Sequence, residues 1–312
     1  MLTDSMLAVA VYEVDFACDS VVAVPDPPGV LWHSVFGKAL RDVSCVYPQS
    51  ACDSCPLLHN CDYTALFKVP LPPGSALMKR YNAIPPPHVF LRPDSDADQY
   101  PSTLITLRFC LVGSAIKRFG SVVNSLARIA QNGIGKFRTQ AGVKEIRQIH
   151  QDGRTTTVGV ASYKPVAEDV LIPDCPGQVT LDFVSPYRPS GKRSARPNEF
   201  DLSALLMAVV RRIDLLRYFY IGQKVDADFK ALKIASLHSD LATCKLQRAE
   251  RHHYAAREKR MRDISGLKGK IVFEGELLKP LWPFLYTGQY LNVGKLSSAG
   301  LGQYRLTPKW NM

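Results

Sequence analysis

The order of elements written in this chain's hydrophobic pattern occurs twice, and few folds accommodate such a repeat. Residues 6–16 form an apolar run rich in Val, Ala and Tyr that reads as a strand. Between 30 and 42, Leu31, Val35, Ala39 and Leu40 recur at helical spacing. An extended proline-rich tract occupies 70–89, residues 100–112 alternate as a strand, and 113–130 are helical. Residues 143–148 and 155–161 then form a hairpin around Gln151-Asp152-Gly153. The second half repeats this order. It has a strand at 178–184, a helix at 202–220 with Leu205, Val209, Ile213 and Leu216 on one face, a second helical tract at 226–263, and strands at 270–274 and 290–293. Two βαββαβ-like halves, 1–170 and 171–312, fit this pattern better than a doubly wound sheet. The boundary falls in 165–177, where proline and polar residues replace periodicity. With 312 residues and 46% hydrophobic content, the chain can fill two cores.

No apolar run approaches the ~20 residues that span a bilayer, so the expectation is a cytoplasmic protein without a membrane partner. The charge is lopsided. Residues 1–100 hold six Lys/Arg against eleven Asp/Glu, whereas the rest hold 33 against 17. A surplus of that size points to a polyanionic partner, most commonly nucleic acid. It is densest from Cys244 to Lys270, with nine Lys/Arg against three Asp/Glu. Read as part of a basic helix over 226–263, this tract places Arg251, Tyr254, Arg257 and Arg260 three apart, a slowly drifting stripe along one face. Arg248, Lys259 and Arg262 add to it. The turn carrying Arg188, Lys192 and Arg193 extends the positive surface.

Cys45, Cys52, Cys55 and Cys61 cluster as C-x6-C-x2-C-x5-C in an excursion over 43–68. The CxxC core suits tetrahedral thiolate ligation, so structural zinc, an iron–sulfur cluster and four unliganded thiols are the readings open here. Near the C-terminus, a loop at 288–302 brackets Lys295 with Gly294, Gly300 and Gly302. Glycines let backbone amides approach an anion closely and the lysine adds charge, so the loop reads as a phosphate contact; a plain glycine-rich hairpin is the alternative.

Five segments together resemble the RAMP superfamily, and within it the CRISPR-associated endoribonucleases that cut precursor CRISPR RNA. They are Leu31-Trp-His33-Ser-Val-Phe36-Gly37-Lys38-Ala-Leu40-Arg41, the cysteine cluster through Phe67, Gly133-Ile-Gly135-Lys-Phe-Arg138, Leu181-Asp-Phe183-Val-Ser-Pro186-Tyr-Arg188, and the C-terminal glycine loop. In that loop Asn292 stands where family members carry a first glycine. The resemblance implies an α+β fold of tandem ferredoxin-like (RRM-like) domains, here with a cysteine-rich insertion.

It also implies a metal-independent endoribonuclease that needs no catalytic cofactor. A ribose 2′-hydroxyl attacks the scissile phosphorus within each repeat and leaves 2′,3′-cyclic phosphate and 5′-hydroxyl ends. The implied partners are CRISPR repeat RNA, a retained crRNA 3′ hairpin and other effector-complex subunits. A non-catalytic crRNA-binding subunit of such a complex is the alternative. The reaction needs a base, an acid and a cation. His33 takes the place of the family's catalytic histidine, Lys38 and Arg41 are the nearby cations, and Tyr12 matches a tyrosine that orients substrate or else is a core tyrosine. His33 and Lys38, five residues apart, diverge by ~140° on a helix.

Overall fold

The computed structural model describes residues 6–94, 101–159, 163–191, 195–239, 241–255, 260–274 and 278–310. The chain divides into two compact units. An N-terminal unit comprises 8–168 with 219–221, and a C-terminal unit comprises 1–7, 169–218 and 222–312.

The N-terminal unit runs β1 (Ala8–Val22), α1 (Gly29–Ser44), α2 (Asp62–Leu66), β2 (His88–Leu91), β3 (Ser102–Val112), α3 (Phe119–Asn132), β4 (Ala141–Ile149) and β5 (Thr155–Thr157), and the two-residue β6 (Glu168–Asp169) stands at the boundary in the chain. Its sheet order is β2-β3-β1-β4-β5, with antiparallel neighbours. This is the ferredoxin-like order, the first strand lying between the third and fourth. Alternation in β1 sends Ala10, Tyr12, Val14, Phe16 and Cys18 into the core. There they meet Trp32, Phe36, Ala39 and Leu40 of α1 and Val122, Leu126 and Ile129 of α3. Each large side chain so buried contributes roughly 1.5–3 kcal/mol. The expected helix at 113–130 starts as a 3-10 segment, Gly113–Arg118, before α3 proper.

The C-terminal unit repeats the plan with β7 (Gln178–Tyr187), α4 (Leu202–Tyr220), α5 (Phe229–His238), β8 (Leu241–Ala249), β9 (His252–Ala255), β10 (Arg260–Asp263), β11 (Gly266–Glu274), α6 (Trp282–Gly288) and β12 (Tyr304–Lys309). The sheet order β12-β7-β11-β8 is again fourth, first, third, second, and β9 and β10 form a separate two-stranded ladder inserted between β8 and β11.

Two expectations are corrected. The basic helix over 226–263 does not exist as such. A helix capped by the Asp228 side chain, which accepts from Lys230 and Ala231 amides, stops at His238, and the basic tract beyond it is β-structure. The cause is the missing apolar stripe: from 244 to 263 only Leu246, Tyr254, Met261 and small residues are apolar, too few to hold a helix on a core. As a strand the tract instead pairs β8 with β11 from Leu241–Phe273 to Ala249–Gly266. The strand expected at 290–293 is likewise a turn, and β12 closes the sheet later.

Candidate functional site

His33 lies half-buried on α1, its ring 4.8 Å from Phe67 and 6.0 Å from His88, with Phe90 edge-on at 6.4 Å. Gly37 makes this arrangement possible, because a Cβ there would stand 2.4 Å from the Phe67 ring. His88 is buried, its Nδ1 2.7 Å from the Leu66 carbonyl oxygen. An aromatic wall of Phe67, His88 and Phe90 therefore lines one side of the His33 imidazole.

Lys38 points elsewhere. It is exposed and paired with Asp42, one turn on, at 2.6 Å. Arg41, eight residues from His33 and so ~80° around the helix, lies against Cys45 and then Cys52, which hold its guanidinium above the ordinary arginine range. Tyr12 is a core residue instead of a substrate contact. It is fully buried, stacked on Phe119 at 4.3 Å and Phe109 at 5.3 Å, and burial, then Tyr163, pushes its phenol far above the ordinary range.

The cysteines do not fit a metal. Among the described residues no three His, Cys, Asp or Glu side chains converge as ligands. Cys45 follows the end of α1, Cys52 and Cys61 pack against the core, and all four are free thiols. The segment between Cys45 and Cys61 winds through successive turns closed by backbone hydrogen bonds such as Ser54 to Ala51, Cys55 to Cys52 and Leu58 to Cys55.

In the C-terminal unit Arg188, Gly294 and Lys295 meet. The end of β7 bridges the glycine loop at Arg188–Gly294, the Lys295 amide donates to the Arg188 carbonyl at 2.8 Å, and Lys295 Nζ reaches the Gly191 carbonyl at 2.8 Å. Arg188 also donates to the Asp263 carbonyl at 2.7 Å, at the base of the β9–β10 hairpin. Asp263 is held below the usual carboxylate range by hydrogen bonds from Ser265, with Arg188 and Arg248 adding to the effect.

The glycines act differently from an open amide cradle. The amides of Val293, Lys295, Gly300 and Gly302 all donate to carbonyls within the unit. Gly300 and Gly302 are buried, and a Cβ at Gly302 would stand 1.8 Å from the Val293 oxygen. These glycines let the loop fold tightly and present Lys295. Asn292 keeps the left-handed backbone of a glycine, φ 56°, and ties it with a 3.1 Å bond from its side chain to Ser297.

On the hairpin, the register His253–Arg262 and Ala255–Arg260 puts His253, Arg260 and Arg262 on one face and Tyr254 with Met261 on the other. The expected Arg251–Tyr254–Arg260 stripe is thus split, with Arg260 and Arg262 together and Tyr254 behind them. Arg251 anchors the hairpin base, its amide donating to Ser265 Oγ at 3.0 Å. Lys192, Arg193, Arg257 and Lys259 lie outside the described residues.

Sequence reasoning missed two groups. His88 opens a strand after a proline run and carries no local signature. His150 contacts Glu168 through Nδ1 and lies 2.7 Å from Thr156 Oγ1 through Nε2, a pairing across 18 residues that spacing alone does not disclose. A cavity of about 630 Å3 in the N-terminal unit, lined by His59, Asp62, Lys117, Arg118 and Tyr220 among others, contains none of the expected catalytic residues.

The AF_1859_N family, described as an N-terminal domain, matches residues 7–169, and the family described as CRISPR-associated endoribonuclease Cas6 matches residues 181–304. No curated protein matches the sequence. The Thermus thermophilus Cas6 (TTHB231) product complex superposes with a TM-score of 0.55 at 12% identity, covering 96% of this chain and 100% of that one. The Cas6 (TTHA0078) product complex gives 0.52 at 14%, covering 96% and 100%. A partial Cas6-RT-Cas1--Cas2 complex gives 0.52 at 13%, covering 99% of this chain and 47% of that chain. At such identities the superpositions establish the fold, and the two family matches carry the assignment. The chain belongs to the AF_1859_N family, and over residues 181–304 it carries the domain described as CRISPR-associated endoribonuclease Cas6, which makes it an endoribonuclease of CRISPR RNA processing.

Proposed function

We propose that this endoribonuclease cuts within CRISPR repeats without a metal ion, by attack of the ribose 2′-hydroxyl on the adjacent phosphorus. The O2′–P bond forms as the P–O5′ bond breaks, giving a 2′,3′-cyclic phosphate and a 5′-hydroxyl. The observation that supports this is the setting of His33: a half-exposed imidazole flanked by the rings of Phe67, His88 and Phe90. An imidazole so placed takes the 2′ proton or protonates the leaving oxygen. Arg41, farther along the same helix, is the cation for the developing phosphorane charge. Lys38, paired with Asp42, is a weaker choice.

In this reading Arg188, Lys295, Arg248, Arg260 and Arg262 hold phosphates of the repeat stem, whose A-form shape offers phosphates and 2′-hydroxyls more readily than base edges. They also retain the crRNA 3′ hairpin after cutting. The test is single-turnover cleavage of repeat RNA in excess EDTA. Cleavage is expected to persist, to vanish when the 2′-hydroxyl at the cut is replaced by hydrogen, and to slow by about 10²–10⁴-fold in His33→Ala while RNA affinity holds. Loss of activity in EDTA, or an unchanged rate in His33→Ala, overturns the mechanism.

A further inference from the structure

The turn after α3 carries a feature that neither the core nor the cleavage chemistry uses. Phe137 is 83% exposed, the most exposed of the large hydrophobic side chains described. It sits at the tip of Gly133-Ile-Gly135-Lys-Phe-Arg138, between two cations.

The turn is held at every level. Ile134, fully buried, anchors its start in the core. Ile134 and Thr139 exchange backbone hydrogen bonds of 2.8 and 3.0 Å, and the Arg138 amide closes the tip onto the Gly135 carbonyl at 3.3 Å. Its exit is tied to β1 by the Asp19 amide, 2.9 Å from the Gln140 carbonyl, and by the Ser20 and Thr139 hydroxyls at 3.3 Å. Arg138 takes a left-handed backbone, φ 51°, which costs energy in a residue with a side chain and reverses the chain directly after Phe137. Strain of this kind persists only where the surroundings over-determine it. Here its effect is to leave the ring at the apex. Lys136 Nζ lies 5.5 Å from the ring centroid.

The surrounding charge narrows what the ring receives. In the turn and the start of the strand it enters, 133–144, there are three Lys/Arg and no acidic residue, and Asp19 of β1 is the carboxylate at its exit. A protein partner recognised through a lone phenylalanine would be met by a pocket with an acidic rim. A single-stranded nucleic acid supplies a flat π-face and a phosphate on either side, which is what one rigid aromatic between two cations accommodates.

We propose that Phe137 is a stacking platform for an unpaired base of bound RNA, with Lys136 and Arg138 contacting the flanking phosphates. This rests on the RNA-processing function and adds a contact for a single-stranded stretch, separate from the stem contacts assigned to the C-terminal unit.

The test uses the full chain and labelled 12-mers of uridine and adenosine, with a blunt RNA duplex as control. Because the side chain is exposed, Phe137→Ala, Phe137→Leu and Phe137→Trp are expected to melt with the wild type. The Ala and Leu variants are expected to bind both single strands about 5- to 150-fold more weakly, the span of one lost base stack. Phe137→Trp is expected to retain affinity, and duplex binding to stay unchanged in all three. Wild-type affinity in Phe137→Ala, Leu performing as well as Trp, or an equal loss on duplex overturns the platform. A wild-type protein that cleaves its repeat but binds neither 12-mer overturns it and leaves the nuclease mechanism standing. Failure to bind or cleave repeat RNA overturns both.

Discussion

The two units share a strand order and dispose of charge in opposite ways. On the N-terminal sheet, the face opposite Tyr12 and Phe16 carries Glu13, Asp15 and Glu145 alongside Arg108 and Arg147. These groups are bound to one another. Arg147 lies 2.7 Å from Asp15, 2.6 Å from Glu145 and 3.5 Å from Glu13, Arg108 lies 3.7 Å from Glu13, and Thr106 donates to Asp15 at 2.8 Å. Asp15 first, then Glu145, hold the Arg147 guanidinium above its usual range. The corresponding row of the C-terminal sheet, Lys245–Lys270–Asp182–Arg305, has three cations and one carboxylate, with two lysines directly opposite each other. Like charges opposed across a ladder are unfavourable. The first arrangement serves the fold, whereas the second keeps positive charge at a cost to it, which suits a surface that meets a polyanion.

The largest expected effect breaks this comparison at its centre. Arg147→Ala leaves three partly buried carboxylates without their common partner and is expected to cost about 3 kcal/mol. Lys270→Ala, at the equivalent place in the other row, sits beside Asp182 at 3.6 Å in a more exposed setting and is expected to change stability by no more than about 0.5 kcal/mol. Urea unfolding of the two variants decides it. Equal losses would show that the sheets do not differ in this respect.

The same contrast explains what the sequence discloses. β1, α1 and α3 are legible because each core face repeats at its own local period, as in Tyr12-Val14-Phe16 or Trp32-Phe36-Ala39. The basic tract misleads because arginines three apart imitate a helix, while the pairing that makes it a ribbon, Lys245 with Lys270 for instance, is non-local. The glycines at 294, 300 and 302 mark a special loop correctly. Their use, close packing against carbonyls, depends on β7, more than a hundred residues earlier. Cysteine spacing fails for a related reason: C-x2-C specifies separation along the chain, and only the chain's path decides whether thiols converge. On the candidate site, the helix carrying His33 was readable and the aromatic wall around it was not, since Phe67 and His88 arrive from separate elements.

A smaller effect sharpens the comparison within the C-terminal unit. Arg260 and Arg262 share a face of the β9–β10 hairpin, and Tyr254 lies on the other. Replacing both arginines with alanine is expected to weaken repeat-RNA binding and reduce the slope of log K against log salt by about 2, one for each phosphate contact removed. Tyr254→Ala is expected to leave that slope unchanged, as is Arg147→Ala in the self-neutralised sheet. Titrations at several salt concentrations distinguish these outcomes, and a slope that falls in Tyr254→Ala but holds in the double variant would reverse the assignment of faces.

The smallest effect is a proton. Burial, and then the charge of Arg262 opposite it, hold the His253 imidazole below its ordinary range. Between the native pKa and the unfolded value of ~6.5, the native state binds fewer protons than the unfolded chain, so stability declines as pH falls through that window and is fully present above it. His253→Gln is expected to remove this component, seen as a flatter dependence of urea stability on pH. A phosphate seated on Arg262 offsets the charge that disfavours protonation, so His253 takes up a proton on binding and RNA affinity rises as pH falls through the same window. Wild type and His253→Gln with the same pH dependence of affinity would place the phosphate away from Arg262, and the cationic face of the hairpin would then lose its role.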